Sequence, residues 1–98
     1  MTQLAGGKAT GTAASAEMLA ADNYRDSVTI MLYDDTAPVA IGIGEAAVAD
    51  EGVVLRELGD SVEIRGYAAI KQINIIGNGG IVTYQTGPVT ARLNGYLA

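Results

Sequence analysis

From Tyr24 to Tyr84 the chain runs in short stretches of alternating apolar and polar residues, each cut off by glycine or acidic turn residues. A period of two puts successive side chains on opposite faces, so these stretches read as half-buried strands. Val28, Ile30 and Leu32 alternate with Ser27, Thr29 and Met31, which predicts a strand over about 26–33 stopped by Asp34-Asp35-Thr36 ahead of Pro38. Val39, Ile41 and Ile43 share one face, whereas Ala40, Gly42 and Gly44 leave the other nearly bare, so another surface is expected to lie close against it. Val53 and Leu55 precede a turn at 57–60, and Val62 and Ile64 alternate with Ser61, Glu63 and Arg65. Ile73 and Ile75 lead into Gly77-Asn78-Gly79-Gly80, whose residues tolerate positive φ, and Val82 and Tyr84 resume the alternation; a hairpin of 71–76 with 81–86 is predicted.

Six or more short strands describe an all-β fold, a small antiparallel β-sandwich of jelly-roll or Ig-like type. The expected core is Val28, Ile30, Leu32, Val39, Ile41, Leu55, Val62, Ile64, Ile73, Ile75, Val82 and Tyr84. Residues 1–22, rich in Ala, Gly and Thr without alternation, read as an extended N-terminal arm, in which Ser15 could cap one or two helical turns. The sandwich is then 23–86, with 87–98 a C-terminal strand or arm. Leu4, Met18, Leu19, Leu93, Tyr96 and Leu97 fall outside the alternating region, and these apolar side chains are the expected interaction residues.

Composition narrows the function. With no Cys and no His among 98 residues, thiol nucleophiles, His-based triads and zinc fingers are excluded; no catalytic residue, metal ligand or cofactor site is expected. The net charge of −5 disfavours nucleic acid as a partner, no apolar run reaches membrane-span length, and the first residues lack a signal peptide's order. Asp34-Asp35 and Asp50-Glu51 read as solvated turns. Arg25, Arg56, Arg65 and Lys71 read as solubilising partners of nearby carboxylates, or as salt bridges across an interface. Tyr24, Tyr33, Tyr67, Tyr84 and Tyr96 sit at strand ends, with Tyr84 assigned to the core.

One segment imitates a dinucleotide site: Gly42-Ile-Gly44-Glu-Ala-Ala47 matches G-x-G-x-x-A after an apolar run, with Glu63 further on where a ribose-binding acid would stand. Asp50-Glu51-Gly52 would interrupt the required helix, and the β-branched pair Val53-Val54 prefers a strand. The remaining chain is also too short for the other βα units, so Gly42 and Gly44 are expected in a strand at a close approach and 50–52 in a turn.

Taken together, residues 25–30 (RDSVTI), 38–44 (PVAIGIG), 52–56 (GVVLR), 57–64 (ELGDSVEI) and the closing pair of runs resemble small virion-associated proteins of tailed bacteriophages, over about residues 24–86. The chain departs from them at Leu58, where such proteins usually carry proline before the glycine. The resemblance implies a capsid decoration, or cement, protein: a β-sandwich on the outer capsid surface, made in the host cytoplasm. It would bind the assembled major capsid protein, bridge neighbouring subunits and act as a dimer or trimer. It implies no shared active site. A fibre-adaptor or carbohydrate-binding module is the alternative, and a small nucleotide-binding α/β domain a more distant one.

Overall fold

The computed structural model describes residues 5–88. Eight strands run in chain order: β1 (Ala5–Thr10), β2 (Ala16–Leu19), β3 (Arg25–Asp34), β4 (Val39–Ile43), β5 (Val53–Leu55), β6 (Ser61–Arg65), β7 (Ile73–Ile76) and β8 (Ile81–Pro88), with a 3-10 helix at Gly66–Ile70. They form two antiparallel sheets, ordered β1-β8-β3-β6 and β2-β7-β4-β5. Each of the links β1–β2, β3–β4, β5–β6 and β7–β8 passes from one sheet to the other. That order defines an eight-stranded jelly roll and excludes the Ig-like arrangement.

Period-two patterning builds the interior. On β3, Val28, Ile30 and Leu32 point inward and are almost wholly buried. Their cross-strand neighbours Val62 and Ile64 on β6 and Val82 and Tyr84 on β8 share that face. Val39, Ile41, Leu55, Ile73 and Ile75 from the other sheet complete the core, with Val62 and Tyr84 partly buried at its margin. Every residue expected in the core is there. Ala40, Ala47 and Ala69 are buried as well.

Two expectations fail. The segment read as an arm contributes an edge strand to each sheet: β1 pairs with β8 from Ala5 opposite Thr86 to Thr10 opposite Ile81, and β2 pairs with β7. Small residues suit this role, because Gly7 leaves room for the Tyr84 ring, whose hydroxyl would lie 2.8 Å from a Cβ there. Ser15 caps no helix. The predicted 71–76/81–86 hairpin does not form either, since β7 and β8 lie in different sheets. Gly77-Asn78-Gly79-Gly80 is a corner between sheets. The Gly77 and Gly79 amides donate to the Thr12 and Gly11 carbonyls (2.9 and 3.0 Å), so the turn bonds to the parallel β1–β2 crossing. A Cβ on Gly80 would meet the Ala37 carbonyl oxygen at 2.3 Å, so the β3–β4 turn also closes against this corner.

Candidate interaction surfaces

The outer faces of the two sheets differ. On β4 and β7, Ala40, Gly42 and Asn74 point away from the core yet are buried. The chain after β4 folds back across them: a Cβ on Gly42 would stand 2.5 Å from the Glu45 carbonyl oxygen and 2.7 Å from the Ala47 nitrogen. Asn74 Nδ2 donates to the Glu45 carbonyl at 2.7 Å, and the Ala47 amide donates to Ser15 Oγ at 2.9 Å. Gly44, at φ 74°, makes the reversal. The close approach expected at Gly42 is therefore met by the protein's own backbone. No helix follows the glycines: residues 44–52 are irregular and β5 begins at Val53, while Glu63 is exposed and paired with Arg65 (2.9 Å). This segment is a covering loop, and the dinucleotide reading has no βα unit here to rest on.

The turn acids have local work. Asp34 Oδ1 accepts from the Thr36 hydroxyl and amide (2.6 and 2.8 Å), which hold its carboxyl below its ordinary range. Asp60 Oδ2 accepts from the Glu57 and Arg56 amides, both at 3.0 Å, with the same effect on its pKa. Asp50 faces Arg56 at 3.4 Å. Among the described residues no cluster of three acids is placed to hold a metal ion.

Arg25 is the exception among the basic residues read as solubilising. Its guanidinium is buried and donates to the carbonyls of Ala69 (2.6 Å), Lys71 (2.7 Å) and Ala20 (3.0 Å). Burial lowers its pKa, with nearby Asp22 opposing. It ties the ends of β2, β3 and the 3-10 helix together. A lone arginine in a polar run carries no sequence signal for such burial.

Among the described residues the other sheet leaves its outer face open, and exposed apolar side chains stand near the two ends of β3. At its start, Tyr24 is 80% exposed, and Tyr67, in the 3-10 helix packed beside it, 76%. At its finish stand Tyr33 (57%), Met31 (45%) and Leu58 (60%). Leu58 is brought there because the Gly59 amide donates to the Leu32 carbonyl and the Leu32 amide to the Asp60 carbonyl. A lysine covers one tyrosine at each end: Lys8 Nζ lies 4.2 Å from the Tyr33 ring centroid and Lys71 Nζ 4.7 Å from that of Tyr67. The nine-residue step from Tyr24 to Tyr33 separates the patches by about 30 Å.

Of the six expected interaction residues, Met18 and Leu19 are half-buried and pack against the chain's own core, Leu19 in register with Ile73. Leu4, Leu93, Tyr96 and Leu97 lie outside the described residues. The sequence places the tyrosines at strand ends but does not show that residues 58 and 67 come to opposite ends of one strand, which follows from the path of the folded chain.

No family model matches the chain, and no curated protein matches it. Among solved structures it is similar to a chain of the Bacillus endospore appendages, described as a novel family of disulfide-linked pili. The two are 21% identical with a TM-score of 0.56, over 90% of this chain and 86% of that one. At that identity the likeness is one of fold, a small β-sandwich. The present chain has no cysteine with which to form a disulfide.

Proposed function

We propose that the chain is a structural protein of a virion, a decoration protein that binds the assembled shell of major capsid protein on its outer surface and bridges neighbouring subunits. The observation that carries this reading is the pair of exposed tyrosine sites, one ring at each covered by a lysine, about 30 Å apart near opposite ends of strand β3. Two contact points on one rigid body suit bridging. A ligand bound only by the assembled shell stabilises it by mass action, and repetition over many copies multiplies modest contacts. The net charge of −5 suits the outside of a particle rather than its nucleic-acid interior. The sequence resemblance to phage virion proteins points the same way, and jelly rolls recur in virion components.

The test is occupancy and heat resistance of particles decorated with variants at each end. Tyr24→Ala with Tyr67→Ala should weaken attachment, and so should Tyr33→Ala with Leu58→Ala, while all four leave the isolated protein folded because the side chains are exposed. Full occupancy and unchanged particle stability with both ends altered would sink the proposal. Density for the chain on a tail fibre would favour the adaptor reading.

A further inference from the structure

We propose that β1 is a docking edge for a second copy of this chain, the two β1 strands pairing antiparallel across a two-fold axis to join two four-stranded sheets into one of eight. The inference rests on the free edges of the sandwich and is independent of the virion reading. Among the described residues four strands have an unpaired side: β1, β6, β2 and β5. Three are blunted. β5 is only three residues long, β2 breaks register between Glu17 and Leu19, and β6 carries the Glu63–Arg65 ion pair. By contrast β1 holds an unbroken six-residue register with β8. Its single charge, Lys8, reaches across β8 to the Tyr33 ring of β3, which draws the ammonium away from the edge.

Symmetry and the pleat then select a register. Residues directly opposite must lie on the same face if the two cores are to stay on one side of a continuous sheet, so the paired numbers must sum to an even value. Of the registers this allows, those centred on Gly7 and on Lys8 pair the most residues of β1, and Lys8 opposite Lys8 sets two like charges together. Gly7 opposite Gly7 places Gly6 against Lys8 of the second copy on the outer face, twice per dimer, with no like charges opposed. Glycine at the centre also lets the two backbones approach closely.

Sedimentation equilibrium of Gly6→Glu and Gly6→Lys, with the native protein, tests this. Both variants set the same Cβ against the Tyr84 carbonyl oxygen, 2.8 Å away, so their difference isolates charge across the axis. Native protein should dimerise, Gly6→Glu should dimerise at least about tenfold more tightly than Gly6→Lys, and Lys8→Glu added to Gly6→Lys should restore the dimer. A nitroxide on Lys8→Cys, the sole thiol in such a chain, should show strong dipolar broadening, because the two Cα atoms would be about 8 Å apart. A chain monomeric at millimolar concentration overturns the proposal and leaves the edge to another occupant, such as the chain's own residues beyond Pro88. A dimer indifferent to the sign at position 6, or with unbroadened labels, overturns it equally.

Discussion

β3 and β4 face each other across the core, yet only β3 alternates in burial. Its inward residues Val28, Ile30 and Leu32 are buried and its outward Met31 and Tyr33 exposed, whereas Val39, Ala40, Ile41 and Gly42 of β4 are buried on both faces. The sequences say as much: SVTIMLY mixes polar and apolar residues, and VAIGI has none that is polar. A strand covered on both sides reads as a continuous apolar run, normally because helices cover it. Here the cover is a loop from the same chain, admitted by a glycine and held by Asn74 and Ser15. Among the described residues, one sheet thus uses its outer face for its own stability, and the other leaves its face open to contact.

Five experiments test that contrast. The largest effect should come from the core shared by both sheets: Ile30→Ala and Ile73→Ala should each cost about 2–5 kcal/mol in denaturant unfolding. Similar losses from both would show that the sheets differ outside and not inside. Next, Arg25→Ala should cost about 3 kcal/mol, because three carbonyls at the joint between the sheets lose a charged donor. A neutral result would mean that water replaces the guanidinium.

The direct comparison is Gly42→Ala with Thr29→Ala, two outward positions on facing sheets. The first should cost about 1–3 kcal/mol, since its Cβ meets loop backbone that must lift. The second, on the open face, should cost within about 0.5 kcal/mol. Equal values would remove the distinction between covered and open faces. Ser15→Ala should cost about 1 kcal/mol and speed hydrogen exchange at the Ala47 amide, which donates to that hydroxyl. An amide protected as before would place the loop's anchor elsewhere.

The smallest effect is in acid. Asp60 is more acidic in the folded chain because two amides donate to its charged form, so its stabilising contribution is complete above the unfolded carboxyl pKa of about 4 and fades as pH falls through the lower folded value. Asp60→Asn keeps an acceptor but loses the charge, and should flatten the fall in melting temperature below about pH 4. An unaltered acid limb would show that this loop does not report on folding.

How much was legible follows from which interactions are local. Alternation along β3, β6 and β8 identified the core residues of that sheet, because burial of one face demands a period of two wherever the other meets water, and the apolar runs of β4, β5 and β7 supplied the rest. The bare face of Ala40 and Gly42 announced a close neighbour without saying which. The glycines at 77–80 announced a turn, but the same positive-φ freedom serves a hairpin within a sheet and a corner between sheets, and only the packing of Ile75 and Val82 from opposing sheets chose the corner. The alanine- and glycine-rich start shows no alternation because β1 gains its place from backbone pairing with β8 and from the space Gly7 leaves for Tyr84. The strands from β3 to β8 and the core were thus determined by the sequence, through side-chain periodicity. The pairing partners of β1, β2, β7 and β8, the burial of Arg25 and the gathering of tyrosines at the ends of β3 were decided by tertiary structure, because each depends on groups that meet only when distant segments are folded together.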